Sequence, residues 1–170
     1  MTSTTTSVPS ARPAATCSPG VLDWSFNSRR QDPCFVGATI AGGCFPLGYS
    51  LAPLPPDGGY QYRYITPEED TLCTCNTVYY SLESACAACQ HERNTWDRWM
   101  HWSANCTRTY TTYPRNIPAS VTIPAWAYLD VIAGNTFNIT LAQSHRDFNL
   151  FDSCKPCSHQ PCLGLPYKAK

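Results

Sequence analysis

Apolar and polar positions along the chain follow two different periods. In Val21-Leu22-Asp23-Trp24-Ser25-Phe26 they alternate, which predicts a short strand or extended segment. After the Asp32-Pro33 turn, the mostly apolar run from Cys34 to Cys44 predicts two or three helical turns stopping at Gly42-Gly43. Val78, Leu82, Cys86 and Cys89 recur at helical spacing behind Asn76, a natural N-cap. Trp96, Trp99, Ser103 and Cys106 do the same, extended by Met100, and predict a second helix over 95–106. With Cys86, Cys89 and Cys106 facing inward, the pair reads as a disulfide-stapled helical hairpin. Further on, 108–113, Val121 to Val131 and Phe137 to Leu141 are rich in β-branched and aromatic residues, with Gly134-Asn135 as a turn between the last two. The fold class expected from this pattern is α+β: two or three short helices packed on a few antiparallel strands drawn from 21–27, 108–113, 121–131 and 136–143.

Between these elements the pattern breaks down. Residues 46–67 carry Pro46, Pro53, Pro55, Pro56 and Pro67 around Asp57-Gly58-Gly59, so a long wrapped loop is expected. Tyr60, Tyr62 and Tyr64 share one face of that loop if it is extended, and either lie on the core or offer a row of rings to a sugar or a protein. Trp96 and Trp99 belong to the helical core stripe, whereas Trp102 turns away from it and is the better candidate for exposure. Tyr60, Tyr62, Tyr64 and Trp102 are therefore the candidate binding residues.

Composition sharpens the compartment. The 170 residues fit one domain and hold 11 cysteines, 15 prolines and 10 tyrosines, a density of cysteine that points to an oxidising, extracellular setting. Twelve Lys and Arg balance 12 Asp and Glu, so nucleic acid is not an expected partner. Asn105-Cys106-Thr107 and Asn138-Ile139-Thr140 are glycosylation sequons. No run of 18 apolar residues occurs and residues 1–6 lack a secretory leader's profile, so membrane attachment would need a transmembrane helix outside this sequence. Three parts are expected: a flexible Ser/Thr/Pro-rich arm (1–16), a cysteine-rich extracellular domain (17–145) and a cysteine-containing extension (146–170). All 11 cysteines are disulfide candidates. Cys17, Cys34, Cys44, Cys73, Cys75, Cys86, Cys89 and Cys106 make an even set, and Cys154, Cys157 and Cys162 leave one thiol that is free or joins two chains into a disulfide-linked homodimer.

Several spaced motifs carry a family likeness. Asp32-Pro33-Cys34, Pro53-Leu54-Pro55-Pro56, Cys73-Thr74-Cys75-Asn76-Thr77-Val78 and Tyr80-Ser81-Leu82-Glu83-Ser84-Ala85-Cys86-Ala87-Ala88-Cys89-Gln90 come first. They are followed by Trp96, Trp99, Trp102-Ser103-Ala104-Asn105-Cys106, Ile117-Pro118, Ile123-Pro124-Ala125-Trp126-Ala127-Tyr128-Leu129-Asp130 and Phe137-Asn138-Ile139-Thr140. Over about residues 24–143 the chain resembles a widespread family of basidiomycete cell-surface proteins. That resemblance implies a leader, this cysteine-rich ectodomain, a low-complexity linker, one transmembrane helix and a cytoplasmic tail, and it brings no biochemical activity with it. The chain departs from the pattern after Ala142, where Cys154-Lys155-Pro156-Cys157-Ser158-His159-Gln160-Pro161-Cys162 stands instead of a transmembrane helix.

Three function classes follow. Cys73-Thr74-Cys75, Cys86-Ala87-Ala88-Cys89 and the tail cysteines with His159 have zinc-finger-like spacings, but zinc needs thiolates that an oxidising compartment removes, so no metal and no cofactor is expected. For an enzyme the available groups are Glu83, Glu92, Asp97, His91 and His101, with Glu83 at a partly exposed helical position; no nucleophile elbow, zinc-protease, phosphate-loop or dinucleotide motif occurs. A hydrolase acting on polysaccharide through a carboxylate pair needs no local motif and stays open as the alternative. The reading favoured by the sequence is a non-catalytic structural or interaction domain, extracellular or at the cell surface, with cell-wall polysaccharide or a surface protein as partner.

Overall fold

The structure, a computed structural model, describes residues 14–146. The extension cysteines Cys154, Cys157 and Cys162 lie outside the described residues.

The first helix, α1 (Pro33–Gly42), forms where expected: Asp32 caps it by accepting from the Phe35 amide at 2.7 Å, and Pro33 occupies its first turn. Its buried stripe is Pro33, Cys34, Val36, Gly37, Ile40 and Ala41. Gly37 lets it approach α2 closely, since a Cβ there would already stand 3.5 Å from the Cβ of Leu82. The central helix α2 (Thr77–Gln90) is capped by Asn76, whose Oδ1 accepts from the Tyr79 amide while its Nδ2 donates to the carbonyls of Leu72 and Cys73. Every residue from Thr77 to Cys89 is buried, so α2 is wrapped on all sides. Its last carbonyls find partners outside the helix: Ser18 donates to Cys89 and Gln90, and Asn94 to Ala87.

Four disulfides staple the domain: Cys17–Cys89, Cys34–Cys86, Cys44–Cys73 and Cys75–Cys106. They use the even set of eight. The stapled hairpin is not formed, because Cys86 and Cys89 tie α2 to α1 and to the N-terminal segment, and Cys106 reaches back to Cys75 ahead of α2.

The α+β expectation is overturned. Among the described residues there is no sheet, only a single parallel bridge between Asn76 and Tyr110. The segment expected as a strand at 21–27 contains a short 3-10 turn at Asp23–Ser25, that at 121–131 a 3-10 turn at Ala125–Tyr128, and that at 136–143 the helix α4 (Ile139–Ser144). The expected helix over 95–106 shrinks to one turn, α3 (Trp99–Trp102). The reason is in the side chains, which satisfy the backbone where a ladder would have. Asn27 Nδ2 donates to the Thr122 carbonyl at 2.6 Å, Trp126 Nε1 to Ser25 at 3.2 Å, Trp96 Nε1 to Phe137 at 3.0 Å and Gln31 Nε2 to Ser120 at 2.7 Å. Phe137 N donates to the Tyr80 hydroxyl, which itself donates to the Asp97 carbonyl. Aromatic rings fill the space between: Trp99 stacks on Trp102 at 5.6 Å, Tyr80 meets Trp102 edge-on at 5.1 Å, and Trp126 packs against Phe137 and Trp24.

Candidate functional site

Glu83 lies in the middle of α2, four residues past Tyr79 and on the same face. It is 6% exposed, correcting the partly exposed position expected for it. The Tyr79 hydroxyl donates to Oε1 at 3.2 Å and Trp102 Nε1 donates to Oε2 at 2.5 Å, while the Tyr79 and Tyr49 hydroxyls are 2.8 Å apart. Burial drives the carboxyl pKa up to about 7; the Trp102 and Tyr79 hydrogen bonds, which favour the anion, only partly offset that. Glu83 is therefore a carboxyl group that keeps its proton through mild acid.

Trp102 is the second correction. It is 1% exposed, because the single turn of α3 directs its ring against Tyr79 and Tyr80 and its indole nitrogen at Glu83. A longer helix over 95–106 would have carried it outward.

Beside Glu83 opens a cleft of about 160 Å³ lined by residues 49–52, Tyr62, Arg63, Ile65, Glu69 and Glu83 itself. Two of its lining residues, Arg63 and Glu69, pair at 3.4 Å, with the Arg63 side chain 66% exposed and that of Glu69 only 21%, and Glu69 Oε2 also accepts from the Thr66 amide and hydroxyl at 3.0 Å. A second, smaller space of about 10 Å³, room for one water, is lined by Tyr62, Glu83, Ser84, Ala87, Trp96, Asp97 and Trp102. Glu83 and Tyr62 thus line both spaces.

The tyrosine row is divided. The 60–64 segment runs over α2 without pairing into a sheet, held by Thr95 N donating to Tyr60 O and Ile65 N donating to Trp102 O. Tyr62 turns inward, its hydroxyl donating to the Ala52 carbonyl at 2.9 Å and accepting from Gln90 Nε2 at 2.9 Å. Burial raises the Tyr62 and Tyr49 pKa values, so both hydroxyls stay protonated. Tyr60 and Tyr64 point out instead, 39% and 43% exposed. Tyr62 and Trp102 come together around Glu83; Tyr60 and Tyr64 do not join them.

No family model, curated protein or solved structure matches the chain.

The remaining candidates separate. Asp97 lines the small void and is hydrogen-bonded to His101 Nδ1, whose ring packs edge-on against Tyr64 at 5.6 Å. Glu92 is exposed on the connection after α2, and His91 lies against Gly58. The zinc-like cysteines among the described residues are all joined in disulfides, which leaves them no thiolate to ligate with. Asn105 is exposed, with Nδ2 donating to the Ile65 carbonyl; Asn138 is exposed and caps α4 through Oδ1, which accepts from Leu141 N. The cleft was missed in the sequence because its walls come from 49–52, 62–69 and α2, which no local pattern connects. Its floor had a signal: an acidic residue spaced four from Tyr79 and three from Cys86 on a stripe otherwise committed to the core.

Proposed function

We propose that the chain is an extracellular, disulfide-stapled binding domain that holds one sugar ring of a cell-wall polysaccharide in the cleft beside Glu83. The observation carrying this reading is the cleft itself. Its volume suits a single pyranose ring, Leu51 and Ile65 supply apolar surface for C–H faces, and the hydroxyls of Tyr49 and Tyr62 with the carboxyl groups of Glu69 and Glu83 supply the directional polar contacts. The paired Arg63 and Glu69 leave the rim near neutral, which favours a hydroxylated ligand over an ionic one. Four disulfides support the extracellular setting, as does the resemblance to basidiomycete surface ectodomains. The loop that carries two of the walls is closed by Cys44–Cys73, which limits the freedom lost on filling.

A second reading has its own observation: two carboxyl groups, one buried and one partly solvated, line the same cleft, the division of environments that acid–base hydrolysis of glycosides uses. One experiment addresses both. Soluble fragments of fungal wall glucan and chitin are titrated into labelled protein and followed by amide NMR shifts and by reducing-end release. Binding predicts saturable shifts in residues 49–52 and 62–69, weakened about tenfold or more by Glu69→Gln, consistent with loss of a charged hydrogen-bond partner. Tyr60→Ala and Tyr64→Ala leave it unchanged. Shifts that leave residues 49–52 and Glu69 unmoved, or none at millimolar fragment, contradict the cleft reading. Release of reducing ends that Glu83→Gln abolishes establishes the hydrolase instead.

A further inference from the structure

Two of the disulfides touch each other. Cys89 Sγ, bonded to Cys17, stands 3.8 Å from Cys34 Sγ, bonded to Cys86, which is van der Waals contact between sulfurs of separate bridges. The four cysteines are unequally placed: Cys34, Cys86 and Cys89 are at most 1% exposed, while Cys17 is half-buried. The surroundings of Cys86 differ again. The Gln90 side-chain amide reaches its Sγ at 3.5 Å, and so does the Tyr62 hydroxyl. The contact itself selects the sulfur that is attacked: Cys89 Sγ faces Cys34 Sγ, so Cys86 is the thiolate that leaves.

We infer that Cys17–Cys89 and Cys34–Cys86 form a thiol–disulfide exchange relay that takes up a small thiol at Cys17 and delivers a thiol at Cys86. An incoming thiolate attacks Cys17 Sγ, forming a mixed disulfide there, breaking the Cys17–Cys89 bond and leaving its electron pair on Cys89. The Cys89 thiolate attacks Cys34 Sγ across the contact; the Cys34–Cys89 bond forms, the Cys34–Cys86 bond breaks, and Cys86 leaves as the thiolate and takes a proton from solvent. One thiolate is consumed and one released, two disulfides stand before and after, and no net oxidant is needed. The α1–α2 link survives the exchange, whereas residues 14–17 lose their covalent tie to the end of α2. The new thiol lies against Tyr62, a wall of the cleft, so the relay connects the thiol status of the surroundings to the site.

The test treats the folded chain with reduced glutathione, quenches with acid, alkylates and maps the products by tandem mass spectrometry. The expected product carries glutathione on Cys17, a Cys34–Cys89 bridge and the alkyl label on Cys86. A label on Cys89 with Cys34–Cys86 intact overturns the relay. So does first reaction at Cys44–Cys73 or Cys75–Cys106, and so does no reaction at glutathione concentrations that open an exposed reference disulfide.

Discussion

The α1–α2 half of the domain and the stretch from 91 to 146 enclose one core by different means. In the first, helices of 10 and 14 residues carry side-chain caps at their starts and are cross-linked by Cys34–Cys86, so most of the backbone is satisfied locally. In the second, helices are no longer than 6 residues and the chain is pinned by side chains bonding to distant carbonyls, such as Asn105 to Ile65, Arg29 to Ala119 and Trp126 to Ser25. The first half should therefore lose stability when a covalent or helical device is removed. The second should lose it when one hydrogen-bonding side chain is shortened.

The largest effect is expected from replacing Cys34 and Cys86 together by Ser. Opening a loop with a sequence separation of 52 costs about 4 kcal/mol by the chain-entropy account, which chemical denaturation reads as a lower midpoint. If the double variant unfolds at the wild-type midpoint, the helical half does not depend on its staple.

Next comes Glu83, which sits on the boundary between the halves through its bond to Trp102. Its folded pKa of about 7 lies above the ordinary carboxyl value of 4.5, so between those values the native state holds a proton the unfolded state has lost. The stabilisation is full below about pH 4.5 and disappears as pH rises through about 7, a loss on the order of 3 kcal/mol. Glu83→Gln cannot titrate, so the wild-type-minus-variant stability difference should fall by that amount from pH 4.5 to above pH 7. A difference flat with pH would show that the carboxyl is not desolvated.

Against the second half, Asn27→Ala removes a side-chain amide whose Nδ2 holds the Thr122 carbonyl and whose Oδ1 accepts from the Arg29 and Gln31 amides, a loss of about 2 kcal/mol. Asp32→Ala, which removes only the α1 cap, is expected to cost about 1 kcal/mol. If the order of these two were reversed, the proposed contrast between the halves would fail.

The same contrast explains what could be read from the sequence. The α1 boundaries, the Asn76 cap and the α2 stripe follow from spacing and local chemistry, and so does the even set of eight cysteines. The strands expected at 121–131 and 136–143 have the right β-branched and aromatic composition, but composition cannot reveal that Asn27 supplies to Thr122, and Trp96 to Phe137, hydrogen bonds a neighbouring strand would have given. Trp102 went the wrong way for a related reason, since its direction was inferred from a helix that lasts only one turn. Of the candidate site, Tyr62 was legible as one of a row, whereas the cleft depends on three segments meeting at Glu83.

The protonated carboxyl at the floor of the cleft is best tested by following the Glu83 side-chain carboxyl carbon by NMR across pH in the folded chain. A midpoint near 7 is expected, whereas one near the ordinary 4.5 would mean that Glu83 is solvated and the site is not the one described.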